Sequence, residues 1–154
     1  MKFNRKVIYL DANFLVYWWV CKKPELKKRA QILFAQLRAN QFILALSPLT
    51  FDESWNAIRK ELNVKLSCYD PRVFEQIQNL TSFILSTSFF QMVQFKNLHS
   101  GIKEALNNIK QFQLRPRDAF HLAIMKDNNI HKMVTNDPKF ISQQSKMEIR
   151  VIWV

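Results

Sequence analysis

The sequence predicts an α/β protein: a mostly parallel sheet with helices covering both faces. Short apolar runs rich in β-formers alternate with longer segments of helical periodicity from end to end. Several of those runs stop at an acidic residue, and Pro or small polar residues then mark the helix starts. At 154 residues and 48% hydrophobic content the chain has the size and core of one globular unit, so residues 1–154 are read as a single domain. One Gly and five Pro exclude collagen-like or low-complexity composition.

Lys6-Val-Ile-Tyr-Leu10 is a buried strand that ends at Asp11, and Asn13 to Lys22 is an aromatic-rich helix. Pro24 to Asn40 is amphipathic, with Ala30, Leu33, Phe34 and Leu37 in one stripe and Lys27, Lys28, Arg29, Gln36 and Arg38 opposite. Phe42 to Leu46 is a second strand. Ser47-Pro48 then reads as an N-cap with a first-turn proline, opening a helix whose face is Phe51, Trp55, Ile58 and Leu62. Asp70-Pro71 opens a helix to about Ser86, and Phe90 to Phe95 is a strand. His99 to Phe112 and Pro116 to Asn129 are helical. Lys132 to Thr135 is a strand closed by Asn136-Asp137-Pro138, and Glu148 to Val154 alternates as a last strand. Strands joined through helices run parallel, and ligands of such sheets bind beyond the carboxyl ends of the strands.

Lys and Arg number 23 against 12 Asp and Glu, a formal net charge of +11. A field of that sign attracts polyanions, and nucleic acid is the commonest; plain solubility and an acidic protein partner are the alternatives. Cys21 and Cys68 form no CxxC pair, zinc spacing or disulfide framework, which predicts a reducing compartment and small core or surface roles. The most apolar stretch, Val7 to Cys21, is broken by Asp11 and Asn13 and falls short of the ~20 residues a spanning helix needs. It is a poor signal peptide for the same reason, so a cytoplasmic location with no membrane segment is expected.

Four acids stand out against this basic background. Asp11 and Asp137 follow strands, Glu53 lies in the first turns of the helix after the second strand, and Asp118 lies in the first turn of the helix before the Asp137 strand. In a parallel sheet all four face one edge. Each also has a purely structural reading. Thr50-Phe-Asp-Glu53 fits a capping box with Glu53 at N3, Asp118 suits a helix dipole, Asp137-Pro138 fits an N-cap, and Asp11 could cap the helix beginning near Asn13. As a set they repel one another, and a hard divalent cation, Mg²⁺ or Mn²⁺, is what neutralises such a cluster. A metal so held generates hydroxide near neutral pH and clamps the oxygens of an in-line phosphoryl displacement.

Ile8-Tyr-Leu-Asp11-Ala-Asn13, Leu46-Ser-Pro-Leu-Thr-Phe-Asp-Glu53, Arg117-Asp118-Ala-Phe-His-Leu-Ala123 and Val134-Thr-Asn-Asp137-Pro-Lys-Phe140 resemble, in order and spacing, the four acidic motifs of PIN-domain nucleases. The resemblance spans Val7 to Trp153, and in length the chain looks most like the VapC-type toxins of toxin–antitoxin pairs. It implies a three-layer α/β/α sandwich and Mg²⁺- or Mn²⁺-dependent cleavage of RNA to a 5′-phosphate and a 3′-hydroxyl. It also implies a cognate antitoxin that blocks the site. Position by position, Asp11, Glu53, Asp118 and Asp137 match the metal-binding acids, Asn13 the small polar residue supporting the first, and Thr135 the hydroxyl two residues before the last. Ala12 departs from the usual Ser or Thr. Asp52 beside Glu53 leaves the second acid open, although successive helix positions diverge by about 100°, so only one of the two should face the metal.

Arg115 and Arg117 flank the third motif and are the candidates for phosphate contacts, because guanidinium forks suit phosphate oxygens. His121, one turn after Asp118, could hydrogen-bond an acid or touch RNA, but is read first as a polar residue packed on the helix flank. The Lys22-Lys23 and Lys27-Lys28-Arg29 runs are read as solvated. Trp18, Trp19, Phe89 and Phe90 are read as core or dimer packing before base stacking, with a homodimer or an antitoxin clamp as the partners such a surface suits. Rival functions are a non-catalytic basic RNA-binding domain and a PIN-type processing nuclease or DNase outside toxin–antitoxin systems. An aspartyl-phosphate phosphatase ranks lower, since the second Asp it needs two residues on is Asn13 here.

Overall fold

A computed structural model describes residues 6–64 and 70–153. Cys68 and the last residue of the final expected strand, Val154, lie outside the described residues. Five strands form one sheet: β1 (Val7–Leu10), β2 (Ile43–Leu46), β3 (Phe90–Met92), β4 (Lys132–Val134) and β5 (Arg150–Ile152). Their order is β3-β2-β1-β4-β5 and every neighbouring pair is parallel. Parallel pairing requires crossovers, and these are the helices. They are α1 (Ala12–Trp19), α2 (Pro24–Ala39), α3 (Pro48–Glu61), α4 (Pro71–Ser86), α5 (Leu98–Phe112), α6 (Pro116–Asp127) and α7 (Pro138–Gln143).

The side chains of β1 alternate between two cores. Ile8 and Leu10 join Leu44, Leu46, Phe14, Leu15, Ile58 and Leu80 beneath α1 to α4. Tyr9 points the other way, into a core of Ala45, Phe112, Leu122, Met133 and Phe140 beneath α5 to α7. Period-two alternation in a strand whose positions 8 to 10 are all fully buried needs cover on both faces, so the predicted α/β/α sandwich is the arrangement found. The order of strands reverses between β1 and β4: the chain builds outward from β1 through β2 to β3, then outward on the other side through β4 to β5. The helix after β1 packs on one face and the helix after β4 on the other, which opens a crevice at the carboxyl ends of these two neighbours.

Three local expectations are corrected. Ser47 is the N-cap of α3, as read, but the capping box joins Ser47 to Thr50 at N3 rather than Thr50 to Glu53, so Glu53 has no capping role. The short segment Pro138–Gln143 is a helix, and the last strand begins at Arg150 rather than Glu148, because the chain is still turning at Glu148, whose φ is 58°. The expected strand Phe90 to Phe95 stops at Met92, because this edge strand pairs only with Leu44–Leu46. Trp18 stacks on Phe34 with centroids 4.6 Å apart, and Phe83, Phe89 and Phe90 complete a half-buried aromatic cluster against the first core. Cys21 is buried. No described helix is long and apolar enough to cross a membrane.

Candidate active site

Asp11 leaves the end of β1 and caps α1. Its Oδ1 accepts the Ala12 N–H at 2.7 Å and its Oδ2 accepts the Thr135 hydroxyl at 2.6 Å. Burial raises its pKa above the ordinary carboxylate range; His121 and the Thr135 bond pull it down in part, and the charge of Glu53 adds to the rise. Thr135, fully buried just past β4, also accepts the Asp137 N–H at 3.0 Å, so one hydroxyl ties the first acid to the last. Asp137 in turn caps α7, its Oδ1 accepting the Lys139 N–H at 2.7 Å.

Glu53 projects from the second turn of α3. Its Oε2 lies 2.9 Å from Nε2 of His121, which projects from α6. The ligating atoms of Asp11, Glu53 and His121 all lie within 4.8 Å of one another. Asp118, in the first turn of α6, shares a cleft of about 450 Å³ with Asp137, Arg115, Lys139 and Gln113. Its carboxyl is pushed up to about 6, first by burial, then by the charge of Asp137, with Asp11 and Glu53 adding smaller pushes and His121 opposing them. Asp118 therefore feels the charge of the other three acids, and Asp11 that of Glu53, while the compact ligand group among the described residues is Asp11, Glu53 and His121.

Beneath them lies a buried polar relay. Nδ1 of His121 is 2.6 Å from the Tyr9 hydroxyl, which is 2.6 Å from Oγ of Ser47; Thr50 Oγ1 reaches the same phenol at 3.4 Å and donates to the Leu10 carbonyl at 3.3 Å. The relay fastens β1, the start of α3 and α6 together under the acids.

The remaining residues named from sequence separate clearly. Asn13 is exposed on the first turn of α1, while the contacts to Asp11 come from Thr135 and the Ala12 amide. Asp52 is exposed and pairs with Arg117 at 3.1 Å, the same guanidinium lies 4.0 Å from Glu53, and of the two acids it is Glu53 whose carboxylate groups with Asp11 and His121. That geometry assigns Glu53, not Asp52, to the cluster. Arg115 is exposed at the N-cap of α6 and lines the cleft. Lys22, Lys23, Lys28 and Arg29 are exposed. Lys139 escaped sequence reasoning, with adjacency to Asp137-Pro138 as its only signal; His121, read first as flank packing, is buried at 1% exposure and makes the contact with an acid that was its alternative reading, to Glu53.

A parallel sandwich with carboxylates gathered beyond its strand ends defines an α/β domain built to work on a ligand at that edge. The PIN-domain family model matches residues 8–144, and the chain belongs to that family, the nucleases whose acidic motifs it resembles. Similar solved structures include VapBC2 from Rickettsia felis bound to a DNA fragment from its promoter, at 17% identity and TM-score 0.63 over 96% of this chain and 98% of that one. VapC20 from Mycobacterium tuberculosis, a sarcin–ricin loop cleaving toxin, is 14% identical with TM-score 0.64 over 88% and 93%. FitAcB from Neisseria gonorrhoeae is 14% identical with TM-score 0.58 over 94% and 96%. At these identities the likeness is one of fold. A comparison with curated proteins finds no match.

Proposed function

We propose that the protein is a divalent-metal-dependent endoribonuclease, the toxin of a toxin–antitoxin pair, acting in the cytoplasm as a single domain. The observation that carries this reading is the convergence of Asp11, Glu53, Asp118 and Asp137, drawn from four distant segments of a chain with net charge +11. The donor set fits a hard cation: carboxylate oxygens whose mutual repulsion and burial already hold Asp11 and Asp118 toward the protonated form. Asp11, Asp118 and Asp137 would hold Mg²⁺ or Mn²⁺, with Glu53 bound directly or through water and Asn13 at the margin. Such an ion supplies hydroxide near neutral pH and Lewis-acid stabilisation of a phosphodiester under water attack.

The chain's own groups do the rest. Thr135 fixes the Asp11 carboxylate and the approach to Asp137. Arg115 and Lys139 present cations on the cleft where a phosphate would lie, and Arg117 adds a third beside Glu53. The fold likeness to VapBC2 and FitAcB supports an antitoxin partner. Leu98, Ile102 and Leu106, exposed along α5, suit such a partner or a second copy.

The test is cleavage of single-stranded and structured RNA, with DNA alongside, in Mg²⁺ or Mn²⁺, with and without EDTA, for wild type and Asp11→Asn. RNA cut to 5′-phosphate ends, blocked by EDTA and lost in the variant, is expected. Binding that ignores EDTA and yields no products would instead identify an RNA-binding module. An Asp11→Asn protein that cuts as well as wild type in Mn²⁺ would reject the assignment.

A further inference from the structure

His121 stands outside the four-acid pattern, yet it is wholly buried and turns Nε2 toward Glu53, 2.9 Å from Oε2 and within 4.8 Å of the ligating oxygen of Asp11. We propose that His121 is itself a ligand of the metal through Nε2, so that a mixed nitrogen and oxygen set makes this protein prefer Mn²⁺ to Mg²⁺. The proposal rests on the reading of the acid cluster as a metal centre.

The spacing admits it. A separation of 2.9 Å suits a hydrogen bond, but neighbouring ligands on an octahedral ion with bonds of about 2.1 Å also stand about 3 Å apart. The surroundings allow it. A ligating imidazole hands its other N–H to an acceptor, which fixes ring and tautomer. Here Nδ1 faces the Tyr9 hydroxyl at 2.6 Å, and that hydroxyl has a second partner in Ser47 at 2.6 Å. Two proton arrangements satisfy the relay. In one, Tyr9 donates to Nδ1 and Nε2–H donates to Glu53. In the other, Tyr9 donates to Ser47 and accepts Nδ1–H, so the neutral imidazole keeps its single proton on Nδ1 and bares the Nε2 lone pair. A bare lone pair facing a carboxylate repels it unless a cation lies between, which is the place a metal would take. Imidazole suits the transition metals, whereas Mg²⁺ favours oxygen and sheds water reluctantly.

The test is calorimetric titration of Mn²⁺ and of Mg²⁺ into wild type, Asp11→Asn, His121→Gln and Tyr9→Phe, with pulsed electron paramagnetic resonance of the Mn²⁺-loaded proteins. His121→Gln keeps an amide donor for Glu53 but offers no imidazole nitrogen. Wild type should show the hyperfine coupling of a directly bonded nitrogen, and His121→Gln should lack it. The same variant should bind Mn²⁺ at least about tenfold more weakly and Mg²⁺ within about twofold of wild type, with Tyr9→Phe losing a smaller factor for Mn²⁺. If wild type binds Mn²⁺ through Asp11 but shows no nitrogen coupling, or if His121→Gln keeps full Mn²⁺ affinity, His121 only positions Glu53 and the proposal falls while the metal centre stands. A wild type that binds no Mn²⁺ overturns both. Should His121→Gln fail to fold, the wild-type spectrum decides alone.

Discussion

Thr135 shows how much of the site depends on one hydroxyl. It donates to Asp11 and accepts from the Asp137 amide, so it sets the spacing of two acids 126 positions apart in the chain. Thr135→Val keeps the shape and removes both bonds. We expect a loss of about 1–2 kcal/mol in stability from the unpaired buried groups, and about a 10–100-fold fall in cleavage from a misplaced ligand, measured by thermal melting and by initial rates in Mn²⁺. Asp118 gives a second reading at this scale. Its ordinary value of 3.8 rises to about 6 in the folded protein, chiefly by burial and by Asp137. A raised carboxyl pKa means that the folded state holds the proton more tightly than the unfolded one. Its contribution is thus full below about pH 4 and is lost as pH rises through about 6. In EDTA the melting temperature should fall by about 3 °C across that window, a figure reflecting about 1 kcal/mol after discounting for its half exposure. Asp118→Asn should flatten the fall; an unchanged pH profile in the variant would show that the proton sits elsewhere.

Among the elements, α7 separates structure from chemistry most sharply. Asp137 is both its N-cap and one of the four acids. Asparagine caps as well as aspartate, so Asp137→Asn should melt within a few tenths of a kcal/mol of wild type yet lose cleavage, whereas Asp137→Ala should cost about 1 kcal/mol more through the lost cap. Equal melting of the two variants would mean that the cap is idle. The same double duty explains what the sequence could and could not disclose. The strands and long helices were legible because their periodicity is local, and the four acids because they fall at strand ends and helix starts. The N-cap at Ser47 was legible from Ser47-Pro48, but Thr50-Phe-Asp-Glu53 also fits the capping-box pattern, and only the backbone shows that the N3 partner is Thr50. The helix Pro138–Gln143 went unseen because six residues hold too few turns to show a period. His121 was set aside because its partners, Glu53 and Tyr9, lie 68 and 112 positions away.

At the scale of the molecule, charge and topology act together. The order β3-β2-β1-β4-β5 puts the crevice between β1 and β4, and the acids occupy it. The surplus of +11 gives the molecule a field of the sign that attracts polyanions, with Arg115 and Lys139 on the cleft itself. Binding of single-stranded RNA should then release counterions: with about three to five phosphates neutralised, log K should fall against log salt with a slope of about −2 to −3.5. The measurement uses Asp11→Asn, which leaves every basic residue in place and is expected not to cut, titrated by fluorescence anisotropy across a KCl series. Arg115 lines the cleft, so Arg115→Ala should weaken binding uniformly across sequences and make the slope shallower by about 0.7. Arg117 is already bridged to Asp52, and its replacement should move the slope less, because the guanidinium must leave that carboxylate to reach a phosphate. If Arg117→Ala proves the more damaging of the two, the phosphate path runs along the α3 side of the pocket rather than through the cleft of Asp118 and Asp137. A slope near zero would mean that the basic surface does not recruit RNA at all.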